Sequence, residues 1–502
     1  MLDLLLLNVP RISLVYPPAG TSLLKGVVEQ QGFTCKVKDA NFELLDSIKD
    51  QEDNFETITN YFTIPNAKLN NQCQQIIDDW YLNLVNYILD INPAHVGISV
   101  FTFECQVATR DLCTLLKKAS FKGKVIVGGA GLSTTGIATQ INDFGNMLLE
   151  TKLVDYYVRG EGENALVDIL KENKTGDGIN NDNYVQIEDL DALAYPNYDD
   201  VIEYGYHYTI DKIQLPITTS RGCVRRCSFC DIHAFWKKYT YRSGDSVAKE
   251  MITHYEKYGV RDFYFTDSLI NGNLKCFRRL CECLVKYYED NKLPDKFFSW
   301  GGQWIVRTEK QLSPDDYKQA ARSGLNGLPM GIESLSYQIR KDMNKGFRPE
   351  DLDYTLEQFR LHGINCYFLM IVGYPTERDE HHMETLEQFM KYQGYAIDGT
   401  IFGVNLGGTL SIDEGSPLHK GHLTHGLEPT ADNNELFGLD WVSKDNPELT
   451  LLERINRRID IQELLMELGY NVWNGNHQLT RLKASYERIK QNTYHFKNKL
   501  QA

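Results

Sequence analysis

The chain has 502 residues, a formal net charge of −15, and apolar and charged fractions of 42% and 24%. This length gives room for two or three domains with a large buried core. The acidic balance argues against general nucleic-acid binding or attachment to anionic membranes, and without a run of eighteen apolar residues no membrane insertion is expected.

The chain starts with MLDLLLLNVP, an apolar stretch with an acid at position 3 and no basic region before it. This stretch predicts a buried strand rather than a signal peptide, and hence a cytoplasmic protein. Eleven cysteines, an odd number, argue against a disulfide framework. Eight of them stand among apolar neighbours and are expected to be small buried residues: Cys35, Cys73, Cys105, Cys113, Cys276, Cys281, Cys283 and Cys366.

Strand and helix patterns alternate through about residues 1–195. LDLLLLNV predicts a buried parallel strand, GTSLLKGVVEQQG a helix that ends at Gly32, and FTCKVKDAN a second strand. Similar units follow at HVGISVF, GKVIVGGAG and VDYYVRGEGENALVDIL, after a polar and mostly helical insertion at 46–90. This order predicts an α/β domain with a doubly wound, Rossmann-like parallel sheet, which binds ligands at the carboxyl ends of its strands.

A second series of strand–helix units occupies about residues 205–420. Several of its predicted strands end in polar residues, among them Asp267, Arg307 and Glu333. Successive parallel strands with polar ends predict a full or partial (β/α) barrel of the TIM type, with its site at that face. Residues 425–502 are polar and predict C-terminal helices that cover the barrel or bind substrate.

Three cysteines with the spacing C-x3-C-x2-C follow the first strand of the second series. They are Cys223, Cys227 and Cys230. Soft thiolates at this spacing suit zinc or an iron–sulfur cluster. Three arginines are expected to lower the thiol pKa values and to offset the charge of a cluster: Arg221, Arg225 and Arg226. The motif allows two interpretations: a structural zinc site with His233 as the fourth ligand, or a [4Fe–4S] cluster with one open iron.

Four stretches accompany the cysteines over about 200 residues: WKKYTYRSGDSVAKEM, FYFTDS, GIES and IVGYPTE. With them the chain resembles the radical S-adenosylmethionine enzymes. The resemblance implies that the three cysteines hold a [4Fe–4S] cluster, whose open iron binds the methionyl group of S-adenosylmethionine before reductive cleavage to a 5′-deoxyadenosyl radical. It also implies cofactor-binding roles for Phe229, Asp267, Ser268, Glu333, Gly373 and Pro375. The residues alone also allow three structural roles: a helix cap for Asp267, a paired buried acid for Glu333 and an ion-pair partner for Arg307.

The first domain resembles the cobalamin-binding domain that precedes the radical module in one subgroup of that family. Its proline and glycine positions carry the resemblance and the implied cofactor contacts: Pro18, Gly20, Gly128, Gly129, Gly160 and Gly162. The D-x-H-x-x-G motif of the classical cobalamin fold is absent, and His95 is expected to be structural because it starts a strand. The domain is therefore expected either to bind cobalamin without a histidine on cobalt or to have lost cobalamin.

The resemblance implies an enzyme whose deoxyadenosyl radical abstracts hydrogen from an unactivated carbon of a small-molecule or peptide substrate. Methylcobalamin, docked between the first domain and the barrel mouth, is expected to supply a methyl group, and flavodoxin or ferredoxin the electron. Three alternatives are a radical oxidative cyclase or rearrangement enzyme, a methylthiotransferase and a non-catalytic zinc-binding module. The methylthiotransferase is disfavoured because Cys35, Cys73 and Cys105 lack the spacing of a second cluster site.

Overall fold

The computed structural model describes residues 2–64, 67–132, 143–173, 176–181, 183–206, 212–429, 438, 441–473 and 475–500. The chain divides into two compact units. The first comprises Met1–Ile217 and Glu250–Asp262, and the second comprises Thr218–Lys249 and Phe263–Ala502. Within the described residues, no helix is both long and apolar enough to cross a membrane.

A five-stranded parallel sheet with the strand order β2-β1-β3-β4-β5 forms the centre of the first unit. Its strands are β1 (Leu4–Asn8), β2 (Cys35–Asp39), β3 (His95–Ser99), β4 (Lys124–Gly128) and β5 (Tyr156–Val158). Leu4 of β1 pairs with Cys35 on one side and His95 on the other. The strand order reverses between β1 and β3, so their carboxyl ends flank the crevice where such sheets bind ligands. The predicted doubly wound sheet is confirmed.

Helices cover the sheet of the first unit. They are α1 (Ala19–Gln30), α2 (Ala40–Ser47), α3 (Glu52–Thr63), α4 (Asn71–Ile91), α5 (Gln106–Lys118), α6 (Phe144–Glu150) and α7 (Gly162–Leu170), with short 3-10 helices at Phe103–Cys105, Ala130–Leu132, Leu190–Ala192 and Ile202–Tyr204. The predicted helical insertion is α3 and α4. Ile77, Leu84 and Ile88 recur at helical spacing along α4 and are buried in the same core as Leu5 and Leu7 of β1.

The strands that follow form a partial barrel and two short ribbons. They are β6 (Gln214–Ile217), β7 (Ser220–Arg221), β8 (Thr240–Tyr241), β9 (Asp262–Phe265), β10 (Ser299–Gly302), β11 (Leu328–Glu333), β12 (Cys366–Met370), β13 (Ile401–Asn405), β14 (Leu427–Pro429) and β15 (Trp441–Ser443). In the second unit β11, β12 and β13 are parallel neighbours, and a parallel bridge between Trp304 and Met330 joins the segment after β10 to β11. This succession confirms the partial barrel.

The helices between and after these strands complete the chain. They are α8 (Ile232–Phe235), α9 (Gly244–Tyr258), α10 (Leu274–Asp290), α11 (Pro314–Ser323), α12 (Tyr337–Asp342), α13 (Pro349–His362), α14 (Asp379–Ile397), α15 (Pro417–Lys420), α16 (Leu451–Glu467) and α17 (Gly475–Leu500), with a 3-10 helix at His422–His425. Local sequence explains helix ends such as those of α11. Ser313 and Asp316 form a capping box at its start, and Gly324 ends it with φ of 100°.

The C-terminal region packs on the barrel within the second unit. Trp441 is fully buried in a core with Tyr374 and Leu410. The guanidinium of Arg454, on α16, lies 3.7 Å from the Trp441 ring centroid. Gly373 has φ of 83°, and a Cβ there would lie 2.4 Å from Cγ of Arg454. Helix α16 therefore fits against the Gly373 turn only because that residue has no side chain.

Replacement of Trp441 by alanine is expected to lower the free energy of unfolding by about 3–5 kcal/mol, because it leaves a large cavity in a closed core. Trp473 is the matched control, since its side chain is 59% exposed. Trp473→Ala is expected to cost less than about 1 kcal/mol. Denaturant titrations of both variants measure the difference, and equal losses would contradict this account of the C-terminal region.

Candidate functional site

The loop that carries Cys223, Cys227 and Cys230, which we call the cysteine loop, is bound at its start to the end of a neighbouring barrel strand. Asp267, buried just after β9, accepts hydrogen bonds from Thr219 N at 3.0 Å, Thr219 Oγ1 at 2.8 Å and Ser220 Oγ at 2.5 Å. Asp267 does not cap the next helix, because Asn273 caps α10. Burial raises the pKa of Asp267 to about 6, although the hydrogen bonds from Ser220 and Thr219 lower it. Its carboxylate therefore positions the loop.

The three motif thiols lie close together and form no disulfide. Cys227 is buried, and Cys223 and Cys230 are half-buried. Burial raises the pKa of all three, to about 11 for Cys230, and the nearby Cys227 and Cys223 raise the pKa of Cys230 further. Lys345 and Arg225 lower the pKa of Cys223, but burial outweighs both. Arg225 thus lowers the pKa of Cys223 and Cys227, in the expected direction, but burial dominates and the net shift is upward.

The donor set fits an iron–sulfur cluster with one open iron. The three thiols are free, and Cys223 and Cys227 lie near enough to Cys230 to raise its pKa. The ring of His233 is engaged elsewhere, with Nε2 2.6 Å from the carbonyl oxygen of Arg225. Among the described residues, no group of three or more His, Cys, Asp or Glu side chains is arranged to hold a single metal ion. A Cys3His zinc site therefore receives no support, whereas three thiolates are the protein ligands of a cluster with an open position.

Residues 342–346, which we call the clasp, hold the outer side of the cysteine loop. The carbonyl oxygen of Met343 accepts from Ser228 N at 3.0 Å, and Asn344 Nδ2 donates to the carbonyl oxygen of Arg226 at 2.8 Å. Asn344 has φ of 57°, which turns the chain back after α12. The Ser228 hydroxyl also lies 2.8 Å from the Tyr374 hydroxyl. The loop is thus held through its backbone at two points and through one side chain.

Glu333 ends β11 in a buried ion pair with Lys345 of the clasp. Oε1 of Glu333 and Nζ of Lys345 are 2.8 Å apart, and both side chains are buried. Glu333 has φ of 65°, rare for a residue with a side chain, and its carbonyl oxygen accepts from Ile371 N at 2.8 Å. Burial lowers the pKa of Lys345, but Glu333 and Cys227 raise it, and the net shift is upward. The sequence interpretation missed Lys345, and its only signal was the stretch DMNKG after GIES.

The other predicted cofactor residues of the second unit lie near the loop or under α16. The Phe229 ring lies 5.8 Å from Nζ of Lys345, and Ser268 is half-buried directly after Asp267. The backbone of Gly373 donates to Glu377 Oε2 at 3.1 Å. The carbonyl oxygen of Pro375 accepts from Asn446 Nδ2 at 3.2 Å. The Gly373–Pro375 turn therefore has one side packed against the C-terminal region.

Arg307 is bound to backbone rather than to a carboxylate. It donates to the carbonyl oxygens of Asn271 at 2.5 Å and Gly272 at 3.2 Å. Burial, helped by the charge of Arg225, lowers the pKa of Arg307 to about 10. The ion-pair hypothesis for this residue is wrong, because two loop carbonyls, distant in sequence, supply its acceptors.

The predicted glycines of the first unit fall into two groups. A Cβ at Gly20 would meet nothing within 4 Å, and Cβ atoms at Gly128 and Gly162 would meet nothing nearer than 3.7 Å. A Cβ at Gly129 or Gly160 would lie 2.5 Å from a carbonyl oxygen of an adjacent loop. These last two glycines serve close backbone packing. Gly20 borders open space, whereas a Cβ at Gly128 or Gly162 would make ordinary van der Waals contact. Pro18 lies directly before α1, at its N-terminal cap.

The crevice between β1 and β3 presents an exposed aromatic ring that the sequence interpretation did not single out. Phe101, two residues after β3, is 58% exposed. His95 starts β3, as predicted, and its Nδ1 is 3.1 Å from the carbonyl oxygen of Asp3. His95 is also the only histidine in the first 200 residues. An exposed ring at Phe101 and open space at Gly20 fit the apolar face of a large flat cofactor such as cobalamin.

Residues 217–389 match a family profile described as the Radical SAM superfamily. Residues 217–389 of the chain therefore carry a Radical SAM module. A module of this superfamily implies a [4Fe–4S] cluster and S-adenosylmethionine. The matched range contains the cysteine loop, Asp267, Glu333 and the clasp.

Curated relatives include proteins with different reactions. An uncharacterized methyltransferase of Pyrococcus horikoshii is 27% identical over 331 residues, which are 61% of this chain and 66% of that protein. An anaerobic magnesium-protoporphyrin IX monomethyl ester cyclase of Synechocystis is 22% identical over 263 residues, 50% of this chain and 51% of that protein. The chain thus spans less than two thirds of the length of each.

Two solved structures share the fold of both units. The radical S-adenosylmethionine methyltransferase TsrM from Kitasatospora setae, with cobalamin and a [4Fe–4S] cluster bound, matches with a TM-score of 0.61 and 18% identity over 86% of this chain and 82% of its own. The cobalamin-dependent radical enzyme OxsB, with aqua-cobalamin and S-adenosylmethionine bound, matches with a TM-score of 0.65 and 15% identity over 99% of this chain and 72% of its own. A radical module preceded by a cobalamin-domain-like sheet is therefore a shared architecture.

Replacement of Lys345 by methionine is expected to lower the free energy of unfolding by about 3–5 kcal/mol, because Glu333 would remain as a buried carboxylate without its partner. Lys341→Met is the matched control, since Lys341 is exposed and its loss is expected to cost less than about 0.5 kcal/mol. Urea titration at neutral pH measures both. A Lys345→Met variant as stable as the control would contradict the role of the ion pair.

Asp267 is expected to make stability fall as pH rises through its pKa. Its folded pKa of about 6 lies above the usual value of 3.8, so its favourable contribution is complete below the usual value and is lost as pH passes 6. The difference between the folded and the usual pKa of Asp267 corresponds to at most about 3 kcal/mol of unfolding free energy. Asp267→Asn should therefore flatten the dependence of unfolding free energy on pH between about 4 and 7, measured by denaturant titration. Equal dependence of unfolding free energy on pH in the wild type and in Asp267→Asn would contradict this role of Asp267.

Proposed function

We propose that this radical S-adenosylmethionine enzyme methylates a carbon of a small-molecule or peptide substrate, with cobalamin as the methyl carrier. The observation that carries the proposal is the occurrence, in one chain, of the three-thiol loop and a doubly wound parallel sheet whose strand order reverses at a ligand crevice. The likeness in fold to TsrM and OxsB supports it.

When bound, the cluster and S-adenosylmethionine supply a 5′-deoxyadenosyl radical that abstracts hydrogen from the substrate, and methylcobalamin supplies the methyl group. Cys223, Cys227 and Cys230 are the proposed ligands of the cluster. Asp267 fixes the start of their loop, and the clasp fixes its outer side. Burial of Cys227 limits the access of water to that thiol.

The proposed S-adenosylmethionine contacts surround the loop. Glu333 is assigned to the methionyl amino group or the ribose, and Phe229 to the adenine. The backbone of Gly373 and Pro375 is assigned to the adenine side, and Ser268 to a polar contact. A buried carboxylate that already pairs with the ammonium group of Lys345 has the charge to accept a second ammonium group.

The proposed cobalamin contacts lie at the carboxyl ends of the strands in the first unit. They are Pro18, Gly20, Gly128 and Gly162, of which Gly20 borders open space, and Phe101 offers an exposed apolar ring. Gly129 and Gly160 shape the adjoining loops. The proposal assigns cobalt no imidazole ligand, since His95 lies at the opposite end of its strand.

An oxidative cyclase or rearrangement enzyme is the second candidate function, favoured by the likeness to the Synechocystis cyclase. It uses the same radical step without methyl transfer, and the first unit would then be a scaffold. The two functions differ in what the protein retains: methyl transfer requires bound cobalt, whereas hydrogen abstraction alone does not.

Anaerobically reconstituted protein is expected to convert S-adenosylmethionine to 5′-deoxyadenosine with dithionite as reductant. Cys230→Ala should abolish product formation and cluster absorbance, because it removes a cluster ligand. Cys281→Ala, a buried cysteine of α10 outside the motif, is the control and should retain both. Liquid chromatography with iron analysis checks the result. Product formed by Cys230→Ala at the rate of the control would contradict the assignment.

Cobalt retention separates the two candidate functions. The reconstituted protein is incubated with hydroxocobalamin, freed of excess and analysed for cobalt and visible absorbance. Stoichiometric cobalt beside the cluster absorbance is expected for the methyltransferase. A loaded cluster without cobalt would overturn methylcobalamin as the methyl carrier and favour the oxidative cyclase or rearrangement.

A further inference from the structure

Half-buried side chains of β12 point into the lumen of the partial barrel. Along this strand Cys366, Phe368 and Met370 are buried, whereas Tyr367 and Leu369 between them are half-buried. Alternate residues of a strand point to opposite faces of the sheet. In a barrel with an outer layer of helices, the fully buried set faces the helices and the half-buried set faces the lumen. Tyr367 and Leu369 therefore line the lumen.

A second tyrosine reaches the same lumen from another strand. Tyr264, on β9, is half-buried and lies between the buried Phe263 and Phe265. Two strands, β10 and β11, stand between β9 and β12 in the order of the barrel. Tyr264 nevertheless acts on Tyr367: burial first, and then the nearby Tyr264, raise the pKa of Tyr367 to about 12. Both phenol groups therefore lie on the lumen side of their strands.

Two further rings extend this surface. The ring centroid of Tyr367 lies 5.2 Å from that of Phe402, on β13, with an angle of 68° between the rings, and 6.2 Å from that of Trp473, at 47°. Trp473 reaches this place because the segment before α17 runs parallel to β13, where Val404 N donates to the carbonyl oxygen of Asn471 at 2.8 Å. We call the four residues Tyr264, Tyr367, Phe402 and Trp473 the aromatic wall.

Protein atoms cover the aromatic wall incompletely. Trp473 is 59% exposed, and the other three rings are half-buried. Within the part of the chain that the structure describes, the hydroxyl group of Tyr367 has no hydrogen-bond partner. A ligand at the wall would remove apolar ring surface from water and supply a partner for this hydroxyl group.

The lumen side of β9 continues from the aromatic wall towards the cysteine loop. Thr266, two residues after Tyr264, has its hydroxyl oxygen 3.0 Å from that of Thr218. The next residues on the two segments, Asp267 and Thr219, form the hydrogen bonds that hold the start of the cysteine loop. Three residues of strand span about 10 Å, so a small ligand at the wall lies within its own length of that loop.

We propose that the aromatic wall binds a flat conjugated ring of the substrate, and that the Tyr367 hydroxyl group donates a hydrogen bond to an oxygen or nitrogen atom on that ring. This inference rests on the proposed function, because it names the class of substrate on which that function acts. The substrate is then a small molecule with a conjugated ring, rather than an aliphatic chain.

A flat ring fits this surface better than a cation does. Centroid separations of 5.2 and 6.2 Å are those of aromatic rings in contact, so the wall is continuous and leaves no gap between its rings for an ammonium group. A conjugated ring can stack on such a surface or meet it edge-on. A saturated ring of the same size lacks the electrostatic complementarity of these two arrangements.

The test compares a flat probe with its saturated analogue. The probes 2-naphthol and decahydro-2-naphthol have the same carbon skeleton and one hydroxyl group, but only the first is planar and conjugated. Equilibrium dialysis measures the dissociation constant of each probe, and of tetramethylammonium, with the reconstituted protein. The variants are Trp473→Ala, Trp473→Phe and Tyr367→Phe. Tyr395→Ala is the matched control, since it removes a half-buried ring from the outer helix α14, where that ring packs 3.8 Å from the Arg360 guanidinium.

The wild type is expected to bind 2-naphthol at least about tenfold more tightly than decahydro-2-naphthol. Trp473→Ala should weaken the binding of 2-naphthol at least about tenfold, whereas Trp473→Phe, which keeps a ring, should weaken it less than about threefold. Tyr367→Phe removes one hydrogen bond and should weaken it about fivefold. Tyr395→Ala should bind 2-naphthol as the wild type does.

Equal affinity of the wild type for the two naphthols would overturn the proposal, and so would tighter binding of tetramethylammonium than of 2-naphthol. Unchanged affinity in Trp473→Ala, or an equal loss in Tyr395→Ala, would also overturn it. If the wild type forms no 5′-deoxyadenosine even with dithionite, the proposed function fails. The dialysis comparison then still decides whether the aromatic wall binds a flat conjugated ring.

Discussion

The buried ion pair between Glu333 and Lys345 is the interaction on which the geometry of the cysteine loop depends. It ties the clasp to the end of β11, and the clasp in turn holds the backbone of Arg226 and Ser228. A buried ion pair contributes little net stability, since desolvation offsets much of the attraction, but loss of one partner is costly. Its effect here is positional, because it fixes the place of the cysteine loop beside the end of β11.

Charge and burial act in opposite directions on the thiols. Burial raises the pKa of Cys223, Cys227 and Cys230, whereas Lys345 and Arg225 favour the thiolate form of Cys223. Thiolate ligation releases protons, so metal binding to buried thiols is coupled to deprotonation. Cations beside the loop thus favour the thiolate form that cluster ligation requires.

The regular features were predictable because they rest on local patterns. Alternating strands and helices predicted both folds, and the C-x3-C-x2-C spacing located the loop. Contacts between distant segments were not predictable in the same way. Arg307 finds its acceptors on a loop 35 residues or more away in sequence, and Lys345 meets Glu333 across 12 residues. The degree of burial, which reversed the expected thiol pKa shift, appears only once the chain is folded.

The central claim is that three cysteines hold a [4Fe–4S] cluster whose open iron binds S-adenosylmethionine. Electron paramagnetic resonance of the reduced, reconstituted protein, recorded with and without S-adenosylmethionine, tests this claim most directly. The account predicts the signal of a reduced [4Fe–4S] cluster whose g-values shift when S-adenosylmethionine is added. A signal that S-adenosylmethionine leaves unchanged, or a protein that takes up zinc and no iron, would contradict it.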